Sequence, residues 1–184
     1  MAIEEGVRPV GRAAVRPVRE PARWAVWTAR AAALTVVPSG VWRVVLGLGV
    51  PVGFSGSLER MFGRSMPGWG TVYVFCLSGL AELLGFLSLG LVRPWGQVLV
   101  RWLPWLGGRR VPPWVAVTVA GLGATAVTVV VWWASLGPWA RNMSDPESPH
   151  GLAGFVMTAC YAPLLGWGPL LAVVTVDYYR RSRR

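Results

Sequence analysis

Residues 69–92 read WGTVYVFCLSGLAELLGFLSLGLV, an apolar run broken by a few small hydroxyls and a single charged side chain, Glu82. About 20 helical residues at 1.5 Å rise cross a ~30 Å hydrocarbon core, so this stretch is long enough to span a membrane as one helix. Three further windows share its character: residues 24–50, 114–137 and 151–176. The pattern predicts an all-α polytopic membrane protein whose four spans form an antiparallel four-helix transmembrane bundle.

Composition points the same way. Of 184 residues 54% are apolar and only 14% charged, and there are 12 Trp. The charges gather in short stretches and leave the four windows almost free of them, as expected for spans separated by loops. A net charge of +10 would suggest nucleic acid as the partner of a soluble protein. Here the Arg residues flank apolar windows and no nucleic-acid motif accompanies them, so no nucleic-acid partner is expected. Every basic residue is Arg, which suggests the coding bias of a high-GC bacterium. Cys76 and Cys160 stand alone in their windows and make no metal spacing.

The domain organisation follows. Residues 1–23 form an Arg-rich tail with Pro9, Pro17 and Pro21, residues 24–176 the transmembrane domain, and residues 177–184 a basic tail. A secretory signal does not fit residues 24–50, which are too long for one and lack a small-residue cleavage site. Trp24, Trp27, Trp69, Trp114, Trp132, Trp133 and Trp139 fall near window ends, where an amphipathic ring favours the headgroup level. The connection 93–113 carries Arg93, Arg101, Arg109 and Arg110 with no acid, while 51–68 and 138–150 mix Arg with acids. The positive-inside rule therefore predicts a multi-pass protein of the cell membrane with both termini and the middle connection in the cytoplasm. Within that connection Leu99, Trp102, Leu103 and Leu106 share one helical face, which predicts a cytoplasmic interfacial helix over 97–106.

The stretches Leu89-Gly-Leu-Val-Arg-Pro-Trp-Gly96, Arg101-Trp-Leu-Pro104, Gly107-Gly-Arg-Arg-Val-Pro-Pro113, Pro149-His-Gly151 and Met157-Thr-Ala-Cys-Tyr-Ala-Pro163 resemble a group of small uncharacterised integral membrane proteins of actinobacteria. The resemblance covers most of the chain from the first span onward and implies the same four-span topology. It carries over no catalytic residue, cofactor or substrate.

Glu82 is the most informative single residue. A carboxylate near the bilayer midplane costs several kcal/mol unless it is protonated, paired or facing water, so an intramembrane acid is a candidate functional group. Ser78, Glu82 and Gly85 recur at helical spacing and make a small polar face on the second span. Thr35, Ser39 and Arg43 make a matching stripe on the first, and Arg43 is the expected partner of Glu82, about 10 Å away in depth. Pro38-Ser39-Gly40 interrupts that span, and such breaks free carbonyls that can line a cavity. Gly151, Gly154, Thr158 and Tyr161 share a face on the fourth span and bring Tyr161 toward the same cluster. Ala116, Ala120 and Ala124 repeat the small-xxx-small pattern that serves helix packing in the third span.

Outside the spans, Asp145, Glu147 and His150 form a possible extracytoplasmic acid–base or metal site. The plainer reading is a helix start with Ser148 as N-cap and Pro149 in the first turn. A disulfide between Cys76 and Cys160 is conceivable at their similar depth, and two buried thiols are the simpler expectation. No metal or cofactor is indicated.

Three functions fit these residues. The first is an intramembrane site that binds or transforms a hydrophobic small molecule, with Glu82, Arg43 and Tyr161 as its reactive groups and Ser39, Ser78 and Thr158 as binding groups. The second is an accessory or scaffold protein whose Arg43–Glu82 contact is structural and whose helices meet a larger membrane partner or a homo-oligomer. The third is a small proton-coupled transporter driven through Glu82.

Overall fold

A computed structural model describes residues 20–97 and 112–183. The expected interfacial helix over 97–106 falls almost wholly outside these residues, as does most of the N-terminal tail. All regular structure among the described residues is helical, and four helical stretches are long and apolar enough to cross a membrane: Arg23–Gly47, Trp69–Leu91, Pro113–Ser144 and Gly151–Arg183.

The first span is made of α1 (Arg23–Leu34) and α2 (Val37–Gly47), which meet at Thr35 and Val36. Pro38 sits in the first turn of α2, where its missing N–H is tolerated. The hydroxyls of Thr35 and Ser39 donate to the carbonyls of Ala32 and Val36 at 2.7 and 2.8 Å. The break therefore lies slightly before the predicted Pro38-Ser39-Gly40, and Ser39 is consumed by it.

The chain leaves α2 through Gly49, whose φ of 79° favours glycine, and forms α3 (Gly56–Ser65) before α4 (Trp69–Ser88) begins. Sequence reading left residues 51–68 as a loop. The helix there is short and amphipathic, with Phe62 turned onto Phe54 at 4.7 Å and Arg60 and Arg64 exposed. The second span closes with a tight turn at Leu89–Leu91. The third, α5 (Pro113–Ala134), continues past its predicted end at 137. A wide turn over Ser135–Trp139 accommodates Pro138, and α6 (Ala140–Ser144) follows. The fourth comprises α7 (Gly151–Tyr161) and α8 (Leu164–Arg183), separated at Pro163. The helix thus runs on through Asp177 to Arg183, where the sequence suggested a tail.

Packing joins α5 to α8, α1 to α8, and α2 to α4, whereas α4 and α5 hardly touch. The spans are therefore arranged second, first, fourth, third, with the first and fourth in the middle. Small residues set each seam. On the first span Ala25, Ala29 and Ala32 are fully buried; Leu171, Val174 and Tyr178 of α8 pack in one core with Ala25 and Ala29, and Trp167 of α8 in another with Ala32. Between the first and second spans a β-carbon at Gly85 would meet Val36 at 2.7 Å, and one at Gly47 would meet Phe75 at 2.8 Å. Between the third and fourth, Gly168 lies against Thr128 and Ala124. Glycine and alanine allow this backbone approach, which supplies van der Waals contact where lipid removes most of the hydrophobic drive.

Prolines inside the helices are answered locally. Pro169 has no N–H to give Leu165, and the Leu165 carbonyl accepts instead from the indole Nε1 of Trp132 at 3.2 Å. Trp24, Trp27, Trp69, Trp114, Trp132 and Trp133 are exposed, as membrane anchors should be. Trp139 departs from that expectation, because its ring packs on Tyr161 at 5.1 Å.

Candidate intramembrane polar site

Glu82 projects from α4 onto α2, where its Oε1 lies against Gly40 so closely that a β-carbon there would overlap it. Its carboxylate is half-buried and makes neither a hydrogen bond nor an ion pair among the described residues. The partnership expected with Arg43 is not formed. Arg43 lies one helical turn beyond Gly40, a depth offset of about 4.5 Å at 1.5 Å per residue, less than half that predicted.

The guanidinium of Arg43 turns instead toward its own helix and toward α7. One terminal nitrogen donates to Ser39 Oγ at 3.3 Å, and Cζ lies 5.9 Å from the centre of the Tyr161 ring, within cation–π range. Arg43 Nε is buried without a partner, and so is Ser78 Oγ, one turn before Glu82 on α4. Tyr161 is fixed from two further sides, with Trp42 edge-on at 5.5 Å and Trp139 at 5.1 Å.

The structure thus gathers Ser39, Arg43 and Tyr161 on one side and places Glu82 and Ser78 on the adjoining seam. Thr158 is not brought in: it is exposed and its hydroxyl donates to Gly154 O at 2.9 Å. Gly154, Met157 and Tyr161 form the inward face of α7, so Thr158 is turned about 100° from Met157, off the core. Trp42 is the residue that sequence reading missed. Its position one before Arg43 gave no sign that it would wall the cluster. Cys76 is exposed and Cys160 half-buried, and both are free thiols.

Outside the spans, Glu147 is a helix cap. Its Oε2 accepts from the backbone N–H of Ser57 and Leu58 at 3.0 and 3.1 Å and from the Ser57 hydroxyl, while its carbonyl accepts from Ser55 N at 2.9 Å. The first turn of α3 is thereby held by a residue some ninety positions away, where the dipole also favours an anion. Asp145 Oδ1 accepts from Glu147 N at 2.9 Å and shapes the loop. His150 is exposed at the N-cap of α7 and makes no side-chain cap, in place of the predicted Ser148, which is buried. Among the described residues no three potential metal ligands come together.

The Ser57 hydroxyl, and then the Ser57 and Leu58 amides, hold the Glu147 carboxyl below its ordinary 4.5, with a smaller contribution from Arg60. A carboxyl with a lowered folded-state value contributes stability above its ordinary value, which is lost as the pH falls through the lowered one. Amide hydrogen exchange in α3 should therefore be constant from neutral pH to about 5, after correction for intrinsic rates, and accelerate below about 4. Glu147→Gln should exchange faster at neutral pH; equal protection of α3 in both proteins would remove the cap from the argument.

Near the opposite end, Arg181 Nε pairs with Asp177 Oδ2 at 2.7 Å, and its NH2 group donates to the Leu91 carbonyl at 3.1 Å. An orphan carbonyl at the end of the second span is thus satisfied from the end of the fourth.

Four helices long and apolar enough to cross a membrane are compatible with one class, that of multi-pass membrane proteins. No family model matches the chain, and neither a curated protein nor a solved structure does.

Proposed function

We propose that this protein resides in the cell membrane, with both termini in the cytoplasm, and binds a hydrophobic small molecule at the polar cluster of Arg43 and Glu82. The observation that carries this is the carboxylate of Glu82, held in the middle of a membrane helix with no hydrogen bond and no ion pair, one turn from a guanidinium with an unpartnered nitrogen. A charged side chain at a helix centre costs about 2.5–3.5 kcal/mol on insertion scales, and that penalty falls when a polar group reaches it. A lipophile with one hydroxyl or carbonyl offers such a group. Arg43 and Glu82 can hold its polar end, with Tyr161 as the adjoining hydroxyl.

The test is native mass spectrometry of gently purified wild type and Glu82→Gln, with thermal stability measured for both. A compound retained by wild type and lost from an equally stable variant supports the site and gives the occupant's mass. Absence of any retained compound, with the variant melting well below wild type, overturns it.

One observation favours a second reading. Glu82 rests directly on Gly40, so the same carboxylate serves helix packing, and a scaffold role predicts lost stability rather than lost ligand. A proton-coupled transporter would instead show pH-dependent flux in vesicles, abolished by Glu82→Gln.

A further inference from the structure

A second feature lies apart from Glu82. Where α4 and α5 fail to meet, a groove of about 410 Å³ opens, within the size range of pockets that enclose small molecules. Along α5 its lining runs from Val115 to Val127, roughly 18 Å at 1.5 Å per residue, close to the ~15 Å depth of one leaflet's hydrocarbon. Trp167 lies at its deep end. Trp95, stacked on Phe86 at 5.0 Å, borders the end from which the Arg-rich connection departs.

The chemistry of the lining narrows the occupant. Its walls are aliphatic and aromatic; the hydroxyl of Ser88 is already donated to Leu84 O at 3.2 Å, and the one unpartnered polar atom there is the buried Nε1 of Trp167 at the deep end. A sugar, nucleotide or peptide backbone would bury several polar groups against that single donor, whereas an alkyl chain brings none to bury. Between the lining residues Leu91 and Trp95 in sequence, Arg93 is exposed. Its charge complements a phosphate.

We infer that this groove is a binding site for one acyl chain of an anionic glycerophospholipid, with its phosphate at Arg93. The chain lies between the second and third spans and takes the place of the helix contact missing there. The site is independent of the Glu82 cluster, and either can fail alone.

Delipidated protein in detergent, given equimolar phosphatidylglycerol and phosphatidylcholine with matched chains, is examined by native mass spectrometry. Wild type should retain one phosphatidylglycerol in preference to phosphatidylcholine. Gly123→Leu fills the groove, since a β-carbon at Gly123 meets nothing within 4 Å. It should lower retention several-fold, because the leucine side chain takes the place of the chain's van der Waals contacts with the groove. Gly121 is equally unobstructed but lies outside the lining, so Gly121→Leu should retain lipid as wild type does. Val119→Trp, at an exposed position on the groove wall, repeats the test should Gly123→Leu fold poorly. Arg93→Gln should keep a lipid but bind both headgroups equally. Wild type without a retained lipid, or equal retention by the Gly121 and groove-filling variants, overturns the inference. Preserved phosphatidylglycerol preference in Arg93→Gln overturns the assignment of the phosphate.

Discussion

Gly168→Val should destabilise the protein more than any other single substitution between the third and fourth spans, by about 3 kcal/mol, at the upper end of overpacking costs. A β-carbon at Gly168 would overlap Thr128 Oγ1 and stand 2.8 Å from Thr128 N and 2.9 Å from Ala124 O. Two of these atoms belong to the α5 backbone, so no side-chain rotation relieves the clash and the helices must separate. Separation would also strain the hydrogen bond from Trp132 Nε1 to the Leu165 carbonyl that Pro169 leaves free. Chemical or thermal unfolding in detergent gives the measurement. Gly121→Val, where a β-carbon meets open space, is the matched control and should change little. Equal effects of the two would mean that the close approach at Gly168 does not hold the spans together.

Arg181→Ala is the second large effect. Its side chain and that of Asp177 are 10% and 11% exposed, so removing the cation leaves a mostly buried carboxylate without its counter-charge and strips the donor from Leu91 O. Breaking such a pair from one side costs about 3–5 kcal/mol. The sign of a double variant makes the test specific. Arg181→Ala with Asp177→Asn removes the stranded charge as well and should recover part of the loss, a positive coupling in a double-mutant cycle. If the double variant loses the sum of both single losses, the pair is not a coupled unit.

Much of this architecture was legible in sequence. Hydropathy located four membrane-length windows, because a run such as 69–92 admits little else, and Pro38 marked the bend in the first span within a few residues. Depth was less legible. The 10 Å offset expected between Arg43 and Glu82 follows if the first span ends near Pro51 level with the start of the second near Pro67. Their register is instead set by Thr71 Oγ1 donating to Gly47 O at 2.8 Å and by Gly47 lying against Phe75, which brings Glu82 opposite Gly40. Side-chain direction was not legible at all: Arg43 and Glu82 come close in depth without pairing.

Contacts distant in sequence explain the remaining surprises. The first turn of α3 is capped by Glu147, and Leu91 is capped by Arg181, each across about ninety residues. Local patterns showed Glu147 as a possible ligand and Arg181 as a topology charge, since neither pattern contains the partner. The spatial order of the spans escaped for a similar reason. Short connections place the first beside the second and the third beside the fourth, but they leave open which helices meet in the middle. Ala25, Ala29 and Ala32, at i, i+4 and i+7, carried that information, in a stretch whose Trp residues drew the anchoring interpretation.

That alanine stripe also bears on how the protein is made. The surface it packs against, Trp167 to Tyr178, belongs to the fourth span and is synthesised after the other three. Until the fourth span is made, the first hairpin therefore waits in the bilayer with a narrow, smooth flank turned to lipid. A ribosome that stalls or terminates after the second span releases a half whose flank is suited to another copy of itself. Arrival of the fourth span is what closes that flank within the same chain.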